Sequence, residues 1–461
     1  MTMKTINKSR LLIQSILVAF FVLLLYSCES LIDVDLPNDR ISQEEVFKDI
    51  NTTKSALNSI YINLRNNPFF SKDVSGINFR MSLFTDELDF VGTSVEYFHQ
   101  NSIEPNDSEI TKWWNNAYQN IYAINLFISK LNQSPSIDDL NKNQLLGEAY
   151  TLRALYYQNI VQLYGAIPYT TSTDYKYNTT IGKTSENQVL LKIEEDLLKA
   201  TELLTYQYRS TDRYYVNKAV AELLLAENYL LQKKDELAEI YSQKVVDNSL
   251  YQIESDLSKT FKKTAKSTLW QLSLEQNTTV TPEASLYVFT ALGGFTSTIS
   301  DKLMGLFDSN DLRKANWITE VKIGNQAYYG VYKYKNKTSN TDENSIFYRV
   351  EHAYFILAES LLKQAKNGQS IEVINKIRRK RGLDDLPLNL NKEQIEQNLL
   401  QESFKEFFTE SVQRFFTLKR WDKLSELTLT KPNWQDRYKQ LPIPETQLLL
   451  NRNLHPQNTG Y

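Results

Sequence analysis

The sequence contains very little cysteine, glycine or histidine. One cysteine in 461 residues excludes an internal disulfide framework and a thiolate-ligated metal cluster. Thirteen glycines, about 3% of the chain against a usual ~7%, argue against glycine-rich phosphate loops and a turn-dense β-sandwich. Three histidines leave few general bases near neutral pH, and a net charge of -3 provides no basic field for nucleic acid. These absences disfavour metal-thiolate proteins, nucleotide-binding enzymes and nucleic-acid-binding proteins.

The first residues, by contrast, form a strongly patterned segment. Cations precede an apolar run at 11–25, which is shorter than the ~20 residues that a membrane-spanning helix needs. The run ends at 25–28 in the letters LYSC, which resemble the lipobox of bacterial lipoproteins. We therefore predict that 1–27 is a lipoprotein signal peptide and that Cys28 becomes an acylated N-terminus, the lipid anchor to a membrane. A plain secretory peptide and an uncleaved membrane anchor are the alternatives.

An acidic tether is predicted to follow the anchor. Glu29, Asp33 and Asp35 lie within the segment 28–40, which leads into the first predicted helix. An acidic segment after the lipidated cysteine resembles the surface-export signal of outer-membrane lipoproteins in the Bacteroidetes lineage. The predicted location is therefore the outer membrane, with the lipid-anchored protein facing the exterior. An ordinary solvated tether is the alternative.

Apolar residues recur at intervals of three and four over most of the remaining chain, which predicts a mainly helical fold. The clearest stripe runs from Leu145 to Leu163 and stops at Gly165 and Pro168. Residues that suit N-caps begin several other stripes. The predicted helices are 43–65, 111–132, 145–163 and 348–366, together with those that begin at Asn217, Asp235 and Ser370 and one from Asn391 to about Trp421.

A short internal repeat indicates how these helices pack. The letters LAE at 225–227 recur at 357–359, each on the first helix of a hairpin of about 30 residues, and 148–164 is a looser copy. This period is close to that of tetratricopeptide repeats. The predicted fold class is therefore mainly α, with tetratricopeptide-like helical hairpins that form a curved scaffold. An irregular helical bundle is the alternative.

Two stretches, 66–110 and 251–346, do not follow the helical pattern. They are rich in loop-forming and aromatic residues, and short alternating runs at 268–274 and 328–334 predict strands. Long loops on a rigid scaffold commonly carry the functional residues of a protein. We therefore expect the functional site in these two loop-rich regions.

Short blocks in a fixed order resemble the SusD/RagB family of nutrient-binding outer-membrane lipoproteins. The longest block ends in the letters LYGAIP at 163–168, and the chain ends in QNTGY at 457–461. The resemblance covers essentially the whole mature chain. The other blocks contain Trp114, Tyr118, Ile121, Asn125, Glu148, Arg153, Arg349, Glu359, Asn375, Arg378, Arg381, Gly382, Glu402, Glu406, Glu410, Arg414, Lys419, Arg420 and Trp421.

The resemblance implies a domain organisation, a partner and a ligand. It implies one SusD-like domain over 41–461, with the loop-rich regions as insertions in the helical scaffold. It implies a SusC-type TonB-dependent transporter as partner, which the protein would cover like a lid. The implied ligand is an oligosaccharide or, in some relatives, a peptide. A helical-repeat adaptor without a small ligand is a further alternative.

Three positions depart from the family pattern. Ser403 replaces an arginine, Ser411 replaces a glycine, and Thr417 replaces an aspartate. These departures fall in a region that the resemblance implies is buried and salt-bridged, so they put local ion pairs in doubt. Charged residues inside apolar helices must be paired, which predicts structural ion pairs at several positions. These positions are Arg153, Glu406 and Arg414.

The two loop-rich regions contain the residue types that bind sugars. Aromatic rings stack on the apolar faces of sugars, and amide, carboxylate and guanidinium groups bind their hydroxyl edges. In the family, ligand contacts come from these two regions, although no motif fixes the positions. For any single aromatic residue, core packing is the favoured interpretation, but we expect at least two of the candidates to be exposed. The candidates are Asn78, Arg80, Tyr97 and Phe98 in the first region, and Tyr287, Phe295, Trp317 and Tyr328 in the second. Trp114 is predicted to be core, and Trp270 half-buried.

Nothing in the sequence indicates catalysis. The histidines are far apart, and the sequence has no nucleophile elbow, P-loop or paired-glycine fingerprint. Neighbouring carboxylates at 86–87, 194–196 and 384–385 could serve a glycosidase only if two of them flanked a cleft. We therefore predict a binding protein that is not an enzyme and has no cofactor, no metal and no nucleic-acid partner.

Overall fold

The computed structural model describes residues 43–276 and 279–461. The predicted signal peptide, the anchor Cys28 and the tether 28–40 lie outside the described residues. Among those described, none of the helices combines the length and the apolar composition that crossing a membrane requires.

The described chain is mainly helical, with a few short strands, as predicted. The helices are α1 (Gln43–Val46), α2 (Ile50–Asn66), α3 (Ile77–Phe84), α4 (Ser108–Gln133), α5 (Asp139–Tyr164), α6 (Tyr175–Asn178), α7 (Glu186–Leu203), α8 (Lys218–Leu231), α9 (Asp235–Val246), α10 (Pro282–Tyr287), α11 (Asp301–Met304), α12 (Leu312–Trp317), α13 (Val350–Lys363), α14 (Asn367–Lys380), α15 (Lys392–Phe407), α16 (Gln413–Arg420) and α17 (Glu445–Leu450). The strands are β1 (Leu88–Phe90), β2 (Thr268–Leu272), β3 (Ser297–Ile299), β4 (Ile318–Ile323), β5 (Gln326–Val331) and β6 (Ser345–Arg349).

The long helices form antiparallel neighbours that pack in sequence order. Helix α4 packs on α5, α5 on α7, and α7 on α8. The hairpins α8–α9 and α13–α14 carry the LAE repeat, and α9 packs against α13. Residues of one of these stripes, such as Leu152 and Leu163 on α5, are fully buried. Stacked hairpins of this kind bury a continuous apolar face, which explains why helical periodicity extends over so much of the sequence.

Several predicted helix boundaries are confirmed, and others are wrong. The Asn217 side chain accepts a hydrogen bond from the Val220 amide, and Asn391 forms a capping box with Gln394. Asp235 is the first residue of α9 rather than its cap, and Ser370 lies inside α14, where its hydroxyl donates to the Ala358 carbonyl at 2.7 Å. Polar residues are therefore only weak markers of a helix start, because a polar side chain inside a helix can instead form a hydrogen bond to a neighbouring helix.

The helix predicted from Asn391 to Trp421 is broken. Helix α15 ends at Phe407, and Thr409, Ser411 and Val412 take left-handed φ angles of 61°, 49° and 56° before α16 begins. We call 408–412 the elbow. Apolar residues continue through it at near-helical spacing, so the periodicity of the sequence gave no sign of the break.

The strands form three two-stranded antiparallel sheets within the described residues, with β1 beside β3, β2 beside β6 and β4 beside β5. The two predicted strands exist, although the second begins at Gln326 and ends at Val331. Trp270 on β2 is fully buried rather than half-buried, and its indole nitrogen donates to the Tyr214 carbonyl at 3.0 Å. Both faces of this short sheet are therefore covered by the protein.

Buried charges connect the helices near the C-terminus. The Glu406 carboxylate accepts hydrogen bonds of 2.6 Å from both Arg349 and Arg381, and all three side chains are fully buried. Burial alone would raise the pKa of Glu402, but Arg313, Lys405 and Arg378 lower it to about 2. Ion pairs are therefore present around Glu402, which pairs with Arg313 at 2.7 Å, although Ser403 and Thr417 contribute no charge to this region.

The other two predicted structural charges are also paired. Arg153 donates two hydrogen bonds of 2.7 Å to Asp196, and Arg414 donates two of 2.7 Å to Asp86. A buried guanidinium that lacked such a partner would carry a large desolvation cost. These residues therefore hold the scaffold together, as their apolar surroundings predicted.

Candidate ligand-binding site

Sheet β1–β3 joins the two loop-rich regions. Leu88 pairs with Ile299 and Phe90 with Ser297, and the contact continues beyond the strands because the Ser94 amide donates to the Gly294 carbonyl at 3.1 Å. Residues about 200 positions apart in the sequence are thereby held side by side. The sheet is thus the reason that candidate residues from both regions can share one site.

Glycine permits this close approach. A Cβ atom at Gly92 would lie only 2.4 Å from the Gly294 carbonyl oxygen. Any side chain at Gly92 would therefore force the two loops apart, so Gly92 fixes how closely they cross.

Four of the candidate residues line one open cleft, which we call the first cleft. Its volume is about 510 Å³. Tyr97, Phe98 and Phe295 form its aromatic side next to Arg80, and 102–109 supplies polar groups. Tyr97 is 54% exposed, Phe295 is half-buried, and Phe98 is 2% exposed at the base. The cleft therefore combines an accessible ring with polar groups beside it, which is the arrangement that sugar binding requires.

The Arg80 guanidinium lies among these aromatic rings. It is 5.3 Å from the centre of the Phe295 ring and 5.9 Å from that of Phe98. It also forms an ion pair with Glu96, which is 2% exposed. Because Glu96 already neutralises it, Arg80 can orient the rings and donate to hydroxyls, but it is a weak site for an anion.

The polar rim of the first cleft is acidic. Glu104, Asp107 and Glu109 line it together with Glu96, whereas Arg80 is the one cation among the described lining residues. Glu104 pairs with Arg437 at 2.9 Å and Glu109 with Lys112 at 2.8 Å, outside the lining. Asp107 caps α4 by accepting from the Glu109 amide at 2.8 Å. Three of the four carboxylates are paired with cations, so the rim has a small excess of negative charge that offers no attraction to an anionic ligand.

The other candidates lie elsewhere. Asn78 is 5% exposed, Tyr287 is 5% exposed and Trp317 is fully buried, so in this conformation they are core residues beneath the loops rather than ligand contacts. Tyr328 is half-buried on β5, outside the first cleft. Of the aromatic candidates, Tyr97 alone is clearly exposed and Phe295 and Tyr328 are half-buried, so the expected exposure of at least two rings is met only in part. Trp114 is 3% exposed, which confirms its predicted core position.

Of the neighbouring carboxylates, Glu195 and Asp196 line an open cleft of about 410 Å³, where Glu195 pairs with Lys192 at 2.8 Å. Asp86 is bound by Arg414, Asp196 by Arg153, and Asp385 by Arg379. Glu87 is fully buried, which raises its pKa to about 7, and it accepts from the Thr409 amide at 3.2 Å. Within the part of the chain that the structure describes, no group of three or more histidine, cysteine or acidic side chains is placed to hold a metal ion. Asp86, Asp196 and Asp385 are therefore each held by an arginine.

A larger open cleft was not predicted. Its volume is about 710 Å³, and it lies between α4, the segment 168–181 and α17. We call it the second cleft. Trp114, Tyr118 and Tyr122 line it at a spacing of four residues along α4. Of these three residues the sequence analysis predicts only Trp114 to be core, and an aromatic stripe does not reveal how much of it a neighbouring helix covers.

The described helices therefore form a scaffold that carries the first cleft on two joined loop-rich regions. The chain belongs to the SusD family: residues 164–440 match the model of that family. Residues 33–230 also match a SusD-like family model described as starch-binding and associating with the outer membrane. The resemblance inferred from the sequence blocks is thereby confirmed.

Similar proteins agree with this assignment. SusD-like protein P2 of Formosa agariphila is 26% identical, over 96% of this chain and 99% of the relative. A SusD superfamily protein of Bacteroides vulgatus has the same fold, with a TM-score of 0.79 at 20% identity over 90% of this chain and 99% of the relative. Surface glycan-binding protein A of Bacteroides thetaiotaomicron, solved in complex with laminarihexaose, gives a TM-score of 0.75 at 18% identity over 88% and 99%.

Proposed function

We propose that this chain is a cell-surface lipoprotein that binds an oligosaccharide in the first cleft and delivers it to a SusC-type TonB-dependent transporter. The observation that carries the proposal is the cleft itself, where the exposed Tyr97 ring lies beside the Arg80–Glu96 pair and the polar segment 102–109. Membership of the SusD family and the laminarihexaose complex of a structural relative support a glycan ligand.

The charge of the cleft favours a neutral oligosaccharide. The rim has a small excess of negative charge, and Glu96 already occupies the guanidinium that could bind an anion, so sulfated or uronic sugars gain no electrostatic attraction there. A neutral sugar can still stack its apolar face on Tyr97 and direct its hydroxyls to the carboxylates of the rim. The same acidic rim would also suit a basic peptide, so a peptide ligand is the second candidate.

The proposed location depends on Cys28. After signal-peptide removal, 28–42 would link the lipid to the start of α1 at Gln43. An extended segment of this length reaches up to ~50 Å, which is enough for the domain to move over a transporter while remaining anchored. Opening would expose the ligand to the exterior, and closing would enclose it against the transporter.

Ligand binding can be tested on the mature soluble domain. A glycan array should first identify a neutral oligosaccharide, and isothermal titration should then compare Tyr97→Ala with the unmodified domain. Removal of the stacking ring should weaken binding about tenfold or more. Tyr177→Ala is the matched control, because Tyr177 is 53% exposed and lines neither cleft. Equal affinities of the Tyr97 variant and the unmodified domain would contradict the assigned site.

The other parts of the proposal have their own tests. In cells, Cys28→Ala should release the protein from the membrane fraction, and continued tight association would contradict lipidation. Co-purification of the anchored protein with a TonB-dependent transporter would support delivery. Incubation with polysaccharide should release no reducing sugar, since the protein is proposed to bind without catalysis.

A further inference from the structure

The second cleft has a lining without charge. None of the eighteen described residues that line it is acidic or basic, in a chain with 23% charged residues. Four of them are aromatic, and six are asparagine or glutamine. An uncharged cleft offers no electrostatic attraction to an ionic ligand, so its occupant should be neutral.

The aromatic residues of the second cleft are partly accessible. Trp114 is buried and supports the Tyr118 ring, whose centre is 4.9 Å away. Tyr122 on α4 is 46% exposed, and Tyr175 on α6 is 78% exposed. Two accessible rings beside a buried aromatic base provide flat apolar surfaces on which a sugar ring can stack.

Hydrogen bonds hold the walls of the second cleft in place. The Tyr118 hydroxyl donates to the Pro168 carbonyl at 2.8 Å, and the Asn125 amide to the Thr170 carbonyl at 2.9 Å. These bonds tie the segment 168–181 to α4. A cleft whose walls are already fixed costs a ligand little conformational entropy on binding.

The third wall, α17, is held in the same way and adds polar groups. The Gln447 amide donates to the Asn115 side-chain oxygen at 3.0 Å, and the Asn451 amide to the Ile181 carbonyl at 2.8 Å. Gln119 is exposed on the α4 side of the cleft. Amide side chains both donate and accept, so they match the mixed donor and acceptor character of sugar hydroxyls.

We propose that the second cleft is a separate binding site for a neutral oligosaccharide. Accessible rings combined with amide groups and no charge match the apolar faces and hydroxyl edges of neutral sugars, whereas a purely apolar partner would leave the amides unsatisfied. The first turn of α4 lines the first cleft, and the turns from Trp114 onward line the second. At 1.5 Å per residue, Ser108 and Tyr118 are separated by ~15 Å along the helix.

The two sites can be separated by variants. Tyr97→Ala removes the stacking ring of the first cleft, and Tyr122→Ala combined with Tyr175→Ala removes the accessible rings of the second. Tyr177→Ala controls for the loss of an exposed tyrosine on α6. Circular dichroism and the unfolding midpoint should be unchanged in all of them, since the substituted rings are exposed or partly exposed.

The probes are neutral hexasaccharides of glucose, mannose and xylose, with laminarihexaose among them, and hexagalacturonate as the anionic comparison. Binding is measured by isothermal titration and by ligand-observed NMR. In the Tyr97→Ala domain, at least one neutral hexasaccharide should still bind, and the added Tyr122→Ala and Tyr175→Ala changes should weaken it at least tenfold. Hexagalacturonate should not bind this variant.

Three outcomes would overturn the second site. One is equal binding by the Tyr97→Ala domain with and without the Tyr122 and Tyr175 changes. Another is a preference of that domain for hexagalacturonate. The third is a dimer in light scattering that Leu450→Asp dissociates, since Leu450 is 78% exposed at the cleft and would then be covered by a second copy. Failure of the first site is separate, because the Tyr122→Ala and Tyr175→Ala changes made in a domain with Tyr97 intact would then remove all binding.

Discussion

Arg414 donates two hydrogen bonds of 2.7 Å to the carboxylate of Asp86, which lies 328 residues earlier in the chain. The guanidinium also lies 3.9 Å from the centre of the Phe404 ring on α15. Asp86 is two residues before β1, so this pair fixes the start of the strand that joins the two loop-rich regions. The C-terminal helices therefore position the first cleft through a single buried ion pair.

Loss of this pair should destabilise the protein. Arg414→Met leaves the Asp86 carboxylate buried without its partner, which should lower the free energy of unfolding by about 3 kcal/mol. Urea denaturation of the mature domain measures this change. Arg379→Met is the control: Arg379 and Asp385 form an exposed pair, so the midpoint should not move measurably. Equal effects of the two substitutions would contradict a special role for the Arg414–Asp86 pair.

The backbone of the elbow gives a second prediction. Ser411 has a left-handed φ of 49°, and its hydroxyl donates to the Phe347 carbonyl at 3.1 Å. Ser411→Gly relieves the strained conformation but loses that hydrogen bond, so the stability should change by less than ~1 kcal/mol. Ser411→Val should cost more than ~2 kcal/mol, because it loses the bond and places a β-branched residue at positive φ. Similar stability of the glycine and valine variants in urea denaturation would contradict this explanation.

Acid should unfold the protein steeply. Burial alone would raise the pKa values of Glu359, Glu402 and Glu410, but their cationic partners lower each to about 2, below the ordinary 4.5. The stability that these ion pairs contribute is therefore present above pH 4.5 and is lost as the pH falls from 4.5 to about 2. Near pH 3, unfolding should take up about two or more protons, measured from the slope of unfolding free energy against pH. A flat slope between pH 4.5 and 3 would contradict these pKa shifts.

Glu87 should make the folded protein less stable as the pH rises above 4.5. Burial raises its pKa to about 7, so the folded protein retains a proton that the unfolded chain loses above pH 4.5. Its contribution to stability therefore falls as the pH rises from 4.5 to 7. Glu87→Gln keeps an acceptor for the Thr409 amide and removes the ionisation, so it should raise stability at pH 8 by up to ~3 kcal/mol and change it little at pH 4.5.

A control separates this effect from a general change in charge. Glu393 is exposed in the first turn of α15, and Glu393→Gln should not produce a comparable gain at pH 8. The comparison is made by urea denaturation at pH 5 and pH 8. A Glu87→Gln variant whose stability relative to the unmodified domain is the same at both values would show that Glu87 is ionised in the folded protein.

The helical scaffold was predictable from the sequence because its cause is local. Local spacing predicts which face of a helix is buried, as in the stripe from Leu145 to Leu163. Capping residues predict where a helix begins, as at Asn217 and Asn391. The elbow was not predictable in this way. It is held by distant partners, such as the Glu87 carboxylate on the Thr409 amide and the Phe347 carbonyl on the Ser411 hydroxyl.

The candidate site was predictable only as a pair of regions. Tyr97 and Trp317 are both aromatic residues in loop-rich segments, yet one is 54% exposed and the other is fully buried beneath the loops. The difference arises from tertiary packing against residues such as Phe261 and Phe408, which no local pattern reports. The second cleft was missed for the same reason, since the neighbours of Tyr122 determine whether its ring is covered.

The 2.4 Å separation between a Cβ at Gly92 and the Gly294 oxygen has a practical consequence for engineering specificity. Grafting a loop from a relative that binds a different ligand should fail if only one of the two crossing segments is exchanged. The grafted backbone would then clash with the native segment that it crosses. A successful chimera should transplant 91–110 and 288–296 together and keep Gly92, so that the two stretches are exchanged as one unit.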